Sequence, residues 1–297
     1  MNPHKKIAII GGNGMLASMF QHDVPAALDL HLFDLPEFDI TNAEQICSIL
    51  TALTPAVIIN CAAFTQVDAC ETQQEIAFQV NGEGPGNLAR VAQQLGAVLV
   101  HISTDFVFSG ESATPYSEDD ATEPCSIYGQ SKLKGEQAIR NSGLTDYYIV
   151  RTSWLYGPNG GNFVETMIRL ADERDELAIV ADQSGTPTYT ADLVTAIWSL
   201  IGASADCNSV APYGIYHYSN AGVCTWYDFA CEIINQLRNE NTTLKVQQVK
   251  PITTDEYPVP AKRPVYSVMS KQKIVAATGM NIPPWQESLK MYFEVRC

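Results

Sequence analysis

Tyr128 and Lys132 stand four residues apart in the stretch YGQSK, shortly after Pro124 and Ser126. If the run from Ser126 to Ile139 is helical, residues i and i+4 share a face and both side chains point into one cleft. A phenol beside an ammonium is a proton-transfer pair. Alone, a phenol titrates at about 10, so at neutral pH it needs a neighbouring cation to favour its phenolate, and Lys132 is the candidate. Thr104, closing an apolar segment, offers a hydroxyl that can hydrogen-bond a carbonyl oxygen beside the phenol. On a solvated helix face the same spacing would carry no chemistry. The elements that bring these three residues together therefore decide the matter.

The first of those elements is a compact β-branched run, Ile7 to Ile10, ending in Gly11-Gly12-Asn13-Gly14-Met15-Leu16-Ala17 before a helix-compatible stretch. This is G-x-x-G-x-x-A between a strand and a helix, a variant of the dinucleotide fingerprint. Gly11 permits the tight turn, Gly14 lets backbone approach a pyrophosphate, Ala17 keeps the helix near the sheet, and the helix N-terminus offers amides to the anion. A strand over Leu30 to Phe33 ends at Asp34, about twenty residues on, where a carboxylate suits ribose hydroxyls and repels a 2′-phosphate. No Lys or Arg lies between Lys6 and Arg90, so NADH is expected over NADPH. Thr41 is expected to cap a helix through Leu53, with Asp39 near an adenine edge or in a turn. A third buried strand, Ala56 to Asn60, runs into the small residues Cys61-Ala62-Ala63, which let a flat cofactor lie close. One long helix over Gln74 to Leu95 leads to a strand over Ala97 to Ile102 that delivers Ser103-Thr104-Asp105. Strands alternating with helices predict an α/β fold, a doubly wound parallel sheet of the Rossmann type. In such a sheet the carboxyl ends of the strands line one crevice, where the glycine turn, Ala62-Ala63, Thr104 and Tyr128 converge.

Composition narrows the partners. The chain has 297 residues, 33 acidic against 18 basic, for a formal charge of −15. That balance repels phosphate backbones and anionic bilayers, so neither nucleic acid nor a membrane is an expected partner. Eight cysteines form no C-x-x-C pair and read as reduced thiols, and no H-E-x-x-H occurs, so no metal is assigned. With no leader-like or 18-residue apolar stretch, a cytoplasmic, soluble protein is expected. His101, inside an apolar strand pattern, reads as a satisfied core residue.

After a fifth strand, Tyr147 to Val150, the pattern changes. Asn162 to Glu173 is an amphipathic helix with Phe163, Met167 and Leu170 on one side, preceded by a Gly-Pro-Asn-Gly-Gly loop placed to close over substrate. Asp192 to Ile201 returns as a helix covering the sheet, and 203–212 reads as a surface loop. Gly214 to Tyr218 has a strand pattern, Thr225 caps a helix to Leu237, and Leu244 to Val249 is a further strand. Pro251 to Pro264 carries Lys262-Arg263, and WQESLKMYF is a closing helix. The expected division is interleaved: residues 1–153 plus about 189–212 bind dinucleotide, and about 154–188 plus 213–297 form a smaller α+β substrate lobe.

Segment after segment, namely CAAFTQVDACE, STDFVFSG, YGQSKLKGE, RTSWLYG, NFVETMIRLA, DQSGTPTYTADL, GIYHYSN, TWYDFA and YPVPAKRPVYS, the chain resembles the dTDP-4-dehydrorhamnose reductase family of extended short-chain dehydrogenases/reductases. The resemblance covers nearly the whole chain. It implies NADH- or NADPH-dependent reduction of the C4 ketone of dTDP-4-dehydro-β-L-rhamnose to dTDP-L-rhamnose, with Thr104, Tyr128 and Lys132 catalytic. It further implies cofactor contacts at Gly11, Asn13, Gly14, Met15, Leu16, Asp34, Asp39, Ile40, Ala62, Ala63, Thr65, Tyr128 and Lys132. Substrate contacts are implied at Thr104, Asp105, Trp154, packed on the sugar, and Arg263, at the diphosphate. Related 4,6-dehydratases carry Asp-Glu after this Thr, whereas Asp105-Phe106 stands here and favours plain reduction. Some members are dimers bridged by a divalent metal through an acid in the first helix. Ser18-Met19-Phe20 supplies none, so a metal bridge is not expected and a homodimer stays open. Two other classes remain: a reductase or epimerase of another nucleotide sugar, and a cofactor-binding regulatory subunit related to the methionine adenosyltransferase β subunit. The intact Thr104, Tyr128 and Lys132 argue against the last.

Overall fold

A computed structural model describes residues 5–22, 24–203, 210–240 and 243–296. Its centre is a six-stranded sheet of β1 (Lys5–Ile10), β2 (Leu28–Phe33), β3 (Val57–Asn60), β4 (Val98–Thr104), β5 (Tyr147–Thr152) and β6 (Gly214–His217). Spatial order is β2-β1-β3-β4-β5-β6, and every neighbouring pair is parallel. Because side chains alternate across a strand, each apolar run feeds two cores. Ile7, Ile9, Val57 and Ile59 pack on one face with Phe20, Leu193, Ile197 and Trp198. Ala8, Ile10 and Ile58 pack on the other with Leu50, Leu88, Ala92 and Ile139. A sheet buried on both faces explains why these strands read as unbroken hydrophobic runs. The expected Rossmann-type architecture is thus present.

Several local expectations differ. The strand 214–217, which the sequence assigns to the smaller lobe, is the sixth sheet strand, pairing with β5, and Tyr216 and Tyr218 join the first core. Thr41 does not cap the second helix. Asn42 does, its side chain accepting from the Gln45 amide, while the Thr41 hydroxyl and amide both donate to Asp39 Oδ1 at 2.8 Å. The long helix over 74–95 is interrupted by a π-helical segment, Phe78–Glu83, between Gln74–Ala77 and Gly84–Leu95. The last strand lies at Gln248–Ile252 rather than 244–249. Of the 203–212 loop, residues 204–209 lie outside the described residues.

A second core packs the helices Phe163–Glu173, Trp226–Asn239 and Trp285–Val295 around Val164, Met167, Phe229, Ile233, Leu289 and Tyr292. Asn162 caps the first of these helices, and Thr225 with Asp228 forms a capping box on the second. The first helix buries Val164, Met167, Ile168 and Ala171, so the anticipated Phe163 and Leu170 sit at the edge of that face. Among the described residues no helix is long and apolar enough to cross a membrane.

Candidate active site

Strand order reverses direction between β1 and β3, and the crevice of an open parallel sheet forms at that switch point. Gly11 makes the turn there with φ of +82°, and a Cβ on it would sit 2.7 Å from the Ala62 nitrogen. The glycine turn and the Ala62 turn therefore touch backbone to backbone, which only glycine allows. Asp34, at the end of β2, accepts from the Asn13 amide at 2.7 Å and from the Leu35 amide at 2.8 Å. The carboxylate is thus tied to the glycine turn. Asp39 closes its own Asx turn, and the Ile40 carbonyl accepts from Asn87 at 3.2 Å. Ala63 and Thr65 flank Phe64, whose amide donates to Asn81 Oδ1 at 2.8 Å and whose carbonyl accepts from Asn81 Nδ2 at 3.0 Å. Met15 and Leu16 open the short helix Met15–Phe20. Leu16 is buried, while the Met15 sulfur lies 3.6 Å from Asn162 Nδ2, so the loop before residue 162 abuts the glycine turn.

Tyr128 lies in the first turn of the helix Ile127–Arg140, whose start Ser126 fixes by accepting from the Gly129 amide at 3.2 Å. A Cβ on Gly129 would collide with the Phe106 carbonyl, so this glycine lets the helix rest directly on the end of β4. Phe106 meets the Tyr128 ring edge-on at 5.5 Å. Thr104 donates to Asp105 Oδ1 at 3.0 Å and accepts from the Phe106 amide at 3.2 Å. Asp105 is buried, and among the described residues its Oδ2 has no hydrogen-bond partner. Burial pushes its carboxyl up to about 6, against nearby hydroxyls and amides. The Tyr128 phenol is raised by burial and by the Asp105 and Cys70 charges, and only the Thr104 hydroxyl favours the phenolate. This corrects the expectation that Lys132 lowers it. Lys132 is buried, donates to the Ile102 carbonyl at 2.6 Å, and is itself pushed down to about 8 by burial, with Glu136 and Cys61 opposing.

Beneath the site a polar network locks helix to sheet. Arg151 donates to both oxygens of Glu136, at 2.9 and 2.7 Å, and Ser103 donates to the same carboxylate at 2.6 Å. Both ionic side chains are at most 3% exposed. Arg151 also lies 3.3 Å from His217 Nε2, and His217 Nδ1 donates to the Tyr116 carbonyl at 3.2 Å.

Across the crevice Trp154 holds a left-handed backbone, φ of 47°, and stacks on Trp226 with ring centroids 3.5 Å apart and planes 10° from parallel. Trp226 is a wall of a cavity of about 520 Å³ together with Phe163, Tyr257, Gln183, Arg174 and Arg263. Arg169 also lines it, and no acidic residue does, in a chain of charge −15. Arg263 donates to Asp68 at 2.9 Å, joining the cavity to the segment Val67–Cys70 near Tyr128.

The family model described as RmlD substrate binding domain matches residues 5–296. The chain belongs to this family. It is 44% identical over 242 residues to the spore coat polysaccharide biosynthesis protein SpsK of Bacillus subtilis, covering 82% of this chain and 80% of that one. A solved dTDP-4-dehydrorhamnose reductase from Clostridium acetobutylicum superposes with a TM-score of 0.89 at 42% identity, over 98% of this chain and 99% of that one. The Bacillus anthracis enzyme of the same name, solved with NADP, matches with a TM-score of 0.89 at 41% identity and the same coverage.

Four residues outside the predicted set make three links that hold the site together. Asn81, in the π-helical segment, grips Phe64 and also donates to Ser131 at 3.0 Å, linking the Ala62–Thr65 turn to the Tyr128 helix. No local residue pattern marked this π-helical turn, although such turns gather at functional sites. His101 and Asn60 form a second link, and Trp226 a third.

Proposed function

We propose that the protein reduces the C4 ketone of dTDP-4-dehydro-β-L-rhamnose to dTDP-L-rhamnose with a reduced nicotinamide cofactor. The observation that carries this reading is the pairing of Tyr128, Thr104 and the unpartnered Asp105 Oδ2 with a neighbouring cavity that has three arginines and no acid. The backbone contact of Gly11 with Ala62 and the Asp34 carboxylate tied to the glycine turn suit a dinucleotide laid across the switch point. When bound, NADH or NADPH supplies the hydride. Tyr128, kept protonated at neutral pH by burial, gives its proton to the forming alkoxide. Thr104 orients the ketone oxygen, and Asp105 Oδ2 accepts from a sugar hydroxyl that would otherwise leave it unpaired. Lys132 holds the cofactor ribose and returns a proton to Tyr128. Trp154 and Trp226 face the sugar and base, and Arg263 with Arg174 meets the diphosphate. Where a dehydratase would place a second acid, Phe106 packs against the phenol, so elimination of water has no base here.

Asp34 favours two ribose hydroxyls over a 2′-phosphate, so NADH is the preferred cofactor. Its two backbone amide bonds spread the carboxylate charge, which leaves NADPH usable. Six free thiols among the described residues suit a reducing compartment, and the cytoplasm is the proposed location. The test is loss of reduced-nicotinamide absorbance with the 4-dehydro sugar nucleotide made in situ, run with each cofactor. Tyr128→Phe is expected to keep cofactor binding and lose on the order of 10²- to 10⁴-fold in kcat. Turnover at the wild-type rate would remove Tyr128 from its role, and no oxidation with either cofactor would overturn the substrate.

A further inference from the structure

Asn60, His101 and Lys132 form a fully buried chain from the Ala62 turn to the Tyr128 helix, with exposures of 1%, 0% and 2%. Asn60 Oδ1 accepts from the Ala62 amide at 3.1 Å, so the other end of that side chain, Nδ2, must be the group facing His101 Nδ1 at 2.9 Å. Nδ2 only donates, hence Nδ1 accepts. A neutral imidazole that accepts at Nδ1 carries its proton on Nε2, and Nε2 faces Lys132 Nζ at 3.5 Å. Lys132 already spends one proton on the Ile102 carbonyl at 2.6 Å. An ammonium at Nζ would set two donors against each other, whereas an amine would accept the Nε2 proton.

We propose that His101 is a positioning residue for the Tyr128–Lys132 couple: its tautomer, set by Asn60, turns a donor toward Lys132, favouring the amine and directing the remaining ammonium protons away from β4. The consequence is a lysine that exchanges its proton near neutrality, as return of a proton to Tyr128 requires. The charged and titratable groups around the couple are few. Glu136 and Cys61 act on Lys132 and favour its charge, Lys132 acts on His101 and keeps the ring neutral, and Asp105 and Cys70 act on Tyr128. The ring is the one neighbour in this group whose effect depends on which nitrogen holds a hydrogen. It also couples Lys132 to the Ala62 amide, so the cofactor turn and the proton carrier are set together.

The use in catalysis rests on the proposed reductase reading, but the arrangement is testable without turnover. In protein labelled with ¹⁵N-histidine, His101 is expected as the Nε2–H tautomer at pH 7, and the Nδ1–H tautomer would overturn the proposal. Asn60→Asp offers two acceptors, so the ring should carry its proton on Nδ1 and turn a lone pair to Lys132. Read from the ¹³Cε signal of labelled lysine, the Lys132 titration should then move up by about one pH unit or more. Adding His101→Phe to Asn60→Asp keeps the new charge and removes the ring, and most of that shift should vanish. A shift that survives in the double variant, or none in the single, sinks the idea. If either variant fails to fold, the wild-type tautomer decides. A correct tautomer and titration with no reductase activity would instead count against the proposed reaction alone.

Discussion

The two walls of the crevice are built on different principles. On the Tyr128 side, a glycine lets a helix lie on a strand end, and Asn81, His101, Lys132, Glu136 and Arg151 are buried and bonded at short range. On the Trp226 side, stacked rings and partly exposed pairs such as Arg263–Asp68 form the surface. A polar network in a dry interior specifies one geometry, because each unmet group is costly. Aromatic faces and half-exposed ions hold a shape more loosely. The Tyr128 wall is thus specified tightly, and the Trp226 wall more loosely.

The contrast is most directly broken at Glu136. Glu136→Gln leaves Arg151 buried without its charge partner and is expected to cost about 3–5 kcal/mol, read as the drop in unfolding free energy in urea. Loss below about 1 kcal/mol would mean that the pair is not the anchor of its wall. Acid attacks the same wall. Burial and the Arg151 charge push His217 down to about 3, and His101 is likewise lowered by burial and Lys132. The unfolded chain takes up these protons at about 6.5, so it binds more protons than the native state below that pH, and stability must fall as pH drops. The decline is expected between about pH 6 and 3, with a slope approaching 1.4 kcal/mol per pH unit for each histidine, and removing His217 by His217→Gln should flatten it. A slope unchanged in that variant would place the protons elsewhere.

The opposite wall should respond in binding rather than in folding. Trp226→Leu is expected to raise KM for the sugar nucleotide several-fold, on the order of 1 kcal/mol, with kcat changed less. A fall confined to kcat would put Trp226 in the chemistry instead. The smallest effect belongs to Asp68→Ala, since its pair with Arg263 is 29% and 40% exposed and contributes below about 1 kcal/mol to stability. Thermal unfolding should barely move, and a large loss would show that this wall, too, is locked.

The residues that sequence made legible are those whose cause is local. Gly11 and Asp34 announce themselves because a turn and a strand end impose residue types at fixed spacing, and Thr225 because a cap must sit just before its helix. The unbroken apolar strands announced a sheet covered on both sides. What was hidden depends on partners far along the chain. Gly214–His217 is too short to name its neighbour, and its place beside β5 follows from packing of Tyr216 and Tyr218 into the first core. Asn81 looks like any polar residue on a helix until Phe64, seventeen residues earlier, is seen to take both ends of its amide. His101 was legible as buried but not as a neighbour of Lys132, which lies thirty-one residues away. The effect of Lys132 on Tyr128 was inferred from the spacing of the pair, but burial raises the phenol and only the Thr104 hydroxyl opposes it.

The Trp154–Trp226 stack has an optical consequence. Two indoles 3.5 Å apart and nearly parallel couple their electronic transitions, so the pair should give a split near-ultraviolet circular dichroism signal and self-quenched emission. Of the four tryptophans, Trp198 is buried in the sheet core, and Trp285 in the second core, against which this stack packs. Light absorbed and emitted by the natural chain can therefore report whether the rings part when the cleft fills, with no label attached.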